Sequence, residues 1–220
     1  MDYPLVSCIM LAGKHTLPAI LHGIECFRSQ TYPFKELIIV NNCRTQWEAS
    51  GFNIKAESDI FIIDTPQLVS AGMARNYGIS ASNGQILAQF DANHWHNKRR
   101  LEIQIATLAH AQAHIAVLSR TMCYSSNSCA ATYYTNPKSA ILSSMVFARP
   151  HGIDYPDWDK NEEYGILSRM QTANMRIASI NKPEMMCRLH LAGTEYQIEQ
   201  SEVTKQHTKV IQSILKNYPK

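Results

Sequence analysis

The sequence predicts an α/β fold with a mostly parallel central sheet flanked by helices. Three observations lead there. Short apolar runs of strand length recur through the first half, nearly continuous rather than alternating, as in strands buried on both faces. Stretches of helical periodicity separate them, giving a β-α-β-α-β-α-β rhythm. The runs end in polar segments at residues 13–15, 41–44 and 91–96. Ligands of such sheets bind outside the carboxyl ends of the strands.

The elements follow in order. Leu5-Val6-Ser7-Cys8-Ile9-Met10-Leu11 reads as the first buried strand. Thr16-Leu17-Pro18 opens a helix, with a hydroxyl for the cap and an early proline. Leu17, Ile20, Leu21, Ile24 and Phe27 recur at helical spacing, and Thr31-Tyr32-Pro33 breaks the pattern. Residues 36–40 and 59–64 are the second and third strands. Residues 70–82 form a helix that Gly84 is expected to end. Residues 85–90 are the fourth strand and run straight into Asp91. Residues 97–110 form a helix with Leu101, Ile105 and Leu108 on one face, and 114–119 a fifth strand.

The second half is less regular. Strand-like pieces lie at 130–134, 145–148 and 185–190. Asp159 and Glu162 have the spacing of a capping box for a helix over 161–173. A last helix over 202–217 carries Val203, His207, Val210, Ile211 and Ile214 on one face. No linker separates the two halves, about 1–117 and 118–220, so the chain reads as one domain.

Composition narrows the function classes. With 220 residues, 45% of them hydrophobic, the chain can bury a real core and is not disordered. Twenty-one basic residues against eighteen acidic give a net charge of only +3. The positive residues are scattered, which argues against nucleic-acid binding. The run Lys98-Arg99-Arg100 reads as helix charge. The six cysteines include no CxxC pair and fit neither a zinc ribbon nor a disulfide framework, so they read as reduced. The N-terminus lacks the basic region of a signal peptide. No apolar stretch approaches the ~18–20 residues that span a bilayer. The expectation is a soluble, cytoplasmic protein whose membrane contact is at most peripheral.

The loops after the strands carry the chemistry. Neither GxGxxG nor a P-loop follows the first strand, so a Rossmann or P-loop nucleotide site is excluded. The informative stretch is Ser70-Ala-Gly-Met-Ala-Arg-Asn-Tyr-Gly78, then Asn83-Gly84, then Phe90-Asp-Ala-Asn-His-Trp95. It resembles the family-2 glycosyltransferases of GT-A fold. In those, a Gly-x-x-x-Arg-Asn-x-Gly helix leads through Gly-Glu and an apolar strand to an Asp-x-Asp motif. Gly72, Ala74, Arg75, Asn76, Gly78, Gly84, Asp91 and Trp95 match at the family's spacing. Residues 27–40 match the family's approach to its second strand, and the likeness covers most of residues 4–110.

The resemblance implies a GT-A fold, a nucleotide-diphospho-sugar donor (a UDP-sugar before others), and a carbohydrate or glycoconjugate acceptor. It also implies an inverting transfer in polysaccharide or glycoconjugate synthesis. Carried over residue by residue, the donor would meet Ala12, Lys14, Asn42, Arg75, Asp91 and Ala92. A Mn²⁺ or Mg²⁺ ion would be held at Asn93, His94 and His190 beside Asp91. A divalent cation there neutralises the diphosphate and acts as a Lewis acid on the leaving group. Arg75 either touches phosphate or forms a salt bridge to Asp91.

Three loops depart from the family pattern. Asn93 stands where the second Asp of Asp-x-Asp usually ligates metal, and His94 follows it. Asn41-Asn42-Cys43 replaces Asp-Asp-Gly, and Leu11-Ala12-Gly13-Lys14 replaces Pro-Thr-Tyr-Asn. Asn93 keeps a carbonyl oxygen and His94 an imidazole. Asn42 both donates and accepts hydrogen bonds.

In the second half, Asp157 to Arg169 resembles the family segment in which an acidic residue opens a helix under the acceptor site. Glu163 falls on the catalytic carboxylate and Glu162 on the residue before it. Such a carboxylate is a general base toward the acceptor hydroxyl. At the unperturbed value of about 4.3 it would be ionised at neutral pH. Tyr155 and Trp158 either line an acceptor pocket or belong to the core. The alternative is a catalytically degenerate GT-A protein serving as a nucleotide-binding or protein-interaction module. A nucleotidyl transferase is disfavoured by the missing glycine- and lysine-rich phosphate loop.

Overall fold

The computed structural model describes residues 3–13, 15–42, 58–66, 68–125, 130–135, 141–190 and 205–217. Eleven strands and five α-helices fall among them. The apolar runs form the centre of a seven-stranded sheet. Strand β1 (Val6–Leu11) pairs in parallel with β2 (Lys35–Asn41) on one side and β4 (Ile86–Gln89) on the other. Strand β3 (Ile60–Asp64) extends the sheet beyond β2. The chain therefore builds outward from β1 through β2 to β3, then crosses back to place β4 on the other flank. That reversal opens a crevice at the carboxyl ends of β1 and β4.

Both halves of the sequence contribute to this sheet. The order is β10-β6-β9-β4-β1-β2-β3, with β6 at Ile115–Leu118, β9 at Ile141–Ala148 and β10 at Ile177–Ile180. Strand β9 is the antiparallel member, inserted between β4 and β6. Cys8, Leu37, Ile38, Ile39 and Val117 are fully buried, each side chain contributing about 1.5–3 kcal/mol of transfer free energy.

A second sheet of four strands follows the order β5-β11-β7-β8. Its members are β5 (His94–His96), β7 (Arg120–Ser125), β8 (Ala130–Thr135) and β11 (Met186–His190). Register sets Arg188 opposite His94. Helix α5 (Lys205–Asn217) seats Ile211 and Ile214 against Met122, Tyr133, Cys187 and Leu189 of this sheet. No helix of the described residues is long and apolar enough to cross a membrane. Cys8, Cys26, Cys123 and Cys187 are free and buried. Cys43 and Cys129 lie outside the described residues.

Several local expectations change. Thr16 precedes α1 (Leu17–Arg28) in extended backbone, but its hydroxyl makes no cap bond. Helix α2 (Ala71–Ser80) ends on Ala81, not through Gly84. Gly84 is required elsewhere, where the chain crosses β1. A Cβ there would lie 2.7 Å from both the Leu5 carbonyl oxygen and the Ser7 nitrogen. Asp159 does not box the helix that follows it. Helix α4 (Glu162–Thr172) starts from Asn161 in left-handed backbone without a side-chain cap, while Asp159 Oδ1 accepts from the Ala71 N–H of α2 at 3.3 Å.

Arg100, read only as part of a run of helix charge, is fully buried at the start of α3 (Arg100–His110). The segment 94–96, read as loop, is strand β5, and β7 and β10 are strands the pattern did not announce. Most of β10 faces solvent at the sheet edge, so it lacks the apolar run of a buried strand.

Candidate active site

Helix α2 carries the central residue of the site. Ser70 caps it, its hydroxyl accepting from Met73 N at 3.2 Å and donating to Asp157 Oδ1 at 2.6 Å. Gly72 lets the helix press against the 155–159 segment. A Cβ there would fall 1.9 Å from the Pro156 carbonyl oxygen. Asn76 closes the junction with two bonds to the Tyr155 backbone, Nδ2 to O at 2.9 Å and N to Oδ1 at 2.8 Å. Gly78 allows the helix to sit on Ile9 and Val40 of the sheet. Gly72, Asn76 and Gly78 thus clamp α2 between the sheet and the segment leading into α4.

The clamp aims Arg75 at three carboxylates. Its Nη2 lies 3.3 Å from Asp91 Oδ1 and 3.5 Å from Glu163 Oε1, and its Nε lies 3.2 Å from Glu162 Oε1. The salt-bridge reading of Arg75 is the one observed. Its Nη1 is buried and has no hydrogen-bond partner among the described residues. Burial alone would lower the guanidinium pKa, but Asp91, Tyr155, Glu163 and Glu162 raise it, so Arg75 stays charged. Asp91 is also buried, which alone would raise its carboxyl, but the Arg75 charge and hydrogen bond together with His94 and His15 outweigh burial and hold it below the usual range.

Glu163 behaves differently. Burial pushes it up to about 7; Arg75 opposes the rise, while Asp91 and Glu162 add to it. The expectation of a fully ionised carboxylate at neutral pH is therefore corrected. Three acids share one arginine, and the site cannot hold three full negative charges at low cost. Glu162 is buried and bonded to Arg75, which suits it to holding the guanidinium in place.

The residues enclose a cleft of about 700 Å³ at the β1/β4 crevice. Leu11 comes from the end of β1, His15 from the loop that follows it, Asn93 from the loop after β4 and His94 from the start of β5. Glu162, Glu163 and Tyr164 come from α4, and Arg188 from β11. His94 is 2% exposed, and neither of its ring nitrogens has a hydrogen-bond partner among the described residues. Its Nδ1 lies 3.7 Å from Asp91 Oδ2. Burial pushes its pKa down to about 3, so the ring is neutral with a lone pair available.

The other expected residues divide. Ala12 is buried at the carboxyl end of β1. Ala92 packs into the core with Met10 and Ile24 and does not line the cleft. Asn42 reaches the Val69 carbonyl with its amide nitrogen at 3.4 Å. Asn41 bonds Asp64 at 2.7 Å and serves the β2–β3 junction. Lys14 and the His190 side chain lie outside the described residues. Tyr155 is core, its hydroxyl accepting from Gln89 Nε2 at 2.6 Å. Trp158 is half-exposed but does not line the cleft, whereas Tyr164 does. His15 falls in the segment 13–15 singled out after the first strand, although no role was given to it, whereas Arg188 and Tyr164 were missed. Nothing local in the sequence marks these two.

A mostly parallel sheet with Asp91 in the loop after β4 and an arginine-centred carboxylate cluster beside it matches a GT-A glycosyltransferase fold. The family model described as Glycosyl transferase family 2 matches residues 9–154, and the chain belongs to that family. No curated protein sequence gives a significant match. Among solved structures, residues 1–349 of S. aureus TarS superpose with a TM-score of 0.61 at 13% identity, covering 84% of this chain and 60% of that one. The same protein in complex with UDP-GlcNAc gives 0.64 at 13% identity, covering 86% and 60%. S. aureus TarS at greater length gives 0.63 at 12% identity, with 84% of this chain and 36% of that one covered. At such identities the likeness is one of fold, and this chain spans only part of the TarS length.

Proposed function

We propose that the protein transfers a sugar from a nucleotide-diphospho-sugar to an acceptor hydroxyl in one inverting displacement. The observation that carries this reading is the meeting of Arg75, Asp91, Glu162 and Glu163 at the β1/β4 crevice. The UDP and UDP-GlcNAc complexes of TarS support a UDP-sugar as donor. Glu163 would take the acceptor proton as the acceptor oxygen attacks the anomeric carbon and the bond to the diphosphate breaks. A base with a pKa near the working pH suits that step. Glu162 would hold Arg75, and Arg75 Nη1 and Arg188 would face the donor's phosphates. Tyr164 would offer a stacking face to the acceptor. Polysaccharide or glycoconjugate synthesis in the cytoplasm, with at most peripheral membrane contact, is the setting we infer.

The donor set fits a divalent cation. Asp91 and the neutral His94 ring are close enough to share one ion, and the buried ring nitrogens lack other partners. Asn93 adds an amide oxygen. Among the described residues no three His, Cys, Asp or Glu side chains form a metal cluster. The donor phosphates would therefore supply much of the shell, as is common for Mg²⁺ and Mn²⁺ sites. An imidazole ligand favours Mn²⁺. Bound there, the ion would stabilise charge on the leaving diphosphate.

Asn93 favours a second reading, a degenerate transferase that binds a nucleotide without transfer. Calorimetry with UDP, GDP and CDP, each with and without Mn²⁺, separates the two. Metal-enhanced UDP binding together with sugar transfer supports the enzyme. Binding without transfer supports the second reading, and no binding of any nucleotide removes both.

A further inference from the structure

Arg100 is fully buried and makes no salt bridge to a carboxylate among the described residues. Its N–H groups go to neutral acceptors. Nε donates to Gln104 Oε1 at 2.9 Å, and Nη2 to the Gln89 and Ser144 carbonyls at 2.9 and 3.1 Å. Nη1 lies 2.7 Å from His96 Nδ1. Burying a guanidinium without an anion is costly. A methionine or leucine would fill the space without that cost. The return lies in what Arg100 holds.

Gln89 and His96 flank the Asp91 loop in the chain, so one side chain staples both ends of the segment that carries Asp91. A guanidinium only donates, so His96 Nδ1 must accept. The neutral ring then carries its proton on Nε2, which lies 3.2 Å from the Asp91 carbonyl oxygen. The same oxygen accepts from the His94 N–H at 3.2 Å. Phe90 completes the assembly, its ring 3.9 Å from that of His96 and 5.5 Å beneath the Arg100 guanidinium.

We propose that Arg100 is a positioning residue for the donor site, selecting the Nε2–H tautomer of His96 so that His96 fixes the Asp91 carbonyl and holds the carboxylate toward Arg75. The chain Arg100–His96–Asp91 runs from the core to the cleft floor. It rests on the donor-site reading above only for its consequence in binding, not for its geometry. Because Nδ1 accepts from the Arg100 guanidinium, the His96 ring has one acceptor and one donor nitrogen.

Two measurements test it. In ¹⁵N NMR of histidine-labelled protein at pH 7, His96 is expected in the Nε2–H tautomer; the Nδ1–H tautomer overturns the proposal. Arg100→Lys keeps a cation but loses the fork that reaches both Gln89 and His96. In Arg100→Lys, or in His96→Phe should that variant not fold, amide exchange at Asn93 and His94 is expected to quicken at least about tenfold relative to β1 amides. UDP affinity with Mn²⁺ is expected to fall about tenfold, and in an Asp91→Ala background, where Mn²⁺-dependent binding is already lost, Arg100→Lys is expected to cost nothing more. A role in packing alone would lower the melting temperature, leave loop exchange in step with β1 and leave UDP affinity unchanged; that result overturns the proposal. If the wild type binds no nucleotide, the donor-site reading fails, and the tautomer and exchange measurements still decide the positioning role.

Discussion

Arg75 Nη2 sits 3.3 Å from Asp91 Oδ1, joining helix α2 to the loop after β4 across a separation of 16 residues. The same guanidinium joins α2 to the start of α4 across 87 residues. One buried cation therefore draws together the Asp91 loop and the proposed base. Its charge is also the reason Asp91 stays ionised while Glu163, the less well compensated acid, does not fully.

Asp91→Ala should abolish Mn²⁺-dependent UDP binding in calorimetry while the circular dichroism spectrum stays native. Glu162 and Glu163 still neutralise Arg75 in that variant. Unchanged UDP affinity would remove Asp91 from the site.

Glu163→Gln keeps shape and hydrogen bonding but cannot accept a proton. Donor binding should survive, and transfer should fall at least about a hundredfold. In the wild type the base must be ionised, so the rate should climb with pH and level off above about 7. The stability consequence has the opposite sense. An acid whose pKa is raised on folding favours the folded state while protonated, so its contribution is lost as pH rises from about 4.5 through about 7. Glu163→Gln should therefore gain melting temperature relative to wild type at pH 8 and not at pH 4. A flat rate profile from pH 5 to 8, or Glu162→Gln being the inactive variant, would contradict the assignment.

Asn93→Asp places a second carboxylate beside Asp91 and His94. Mn²⁺ affinity should rise, measured by titration calorimetry or paramagnetic relaxation. No gain would place the ion elsewhere or remove it from the mechanism.

Gly72→Ala should destabilise the fold by about 1–3 kcal/mol in urea melts, because its methyl meets a backbone oxygen that cannot swing aside. Gly152→Ala is the control: its position is open, although its backbone is left-handed, so its cost comes from conformation without a clash.

Tyr164→Ala removes a half-exposed aromatic wall of the cleft. The acceptor KM should rise about three- to tenfold, matching about 0.5–1.5 kcal/mol of aromatic contact. UDP affinity should not change. An effect on UDP alone would move Tyr164 to the donor side.

The central strands were legible because each is buried on both faces. β1, β2 and β4 write that burial as continuous apolar runs, with no partner needed to recognise them. The Gly72-to-Gly78 motif was legible through its resemblance to the family's helix, and the structure shows what its glycines allow, a close approach on two sides of α2. Edge and second-sheet strands β10, β5 and β7 were not, since they become strands by pairing with distant segments rather than through a pattern of their own.

Tertiary structure alone decided the chemistry. Asp159 fits a cap for its own helix by spacing but bonds the N-terminus of α2, which packing brings closer. Arg100 stands in a run of three basic residues, and only the helix phase of α3 turns it into the core. Nothing next to Glu163 in the chain moves its pKa to about 7; burial does, together with the share of Arg75 that Asp91 and Glu162 already hold. Coulomb energies depend on distance and dielectric, and both are set only when segments far apart in sequence close over one another.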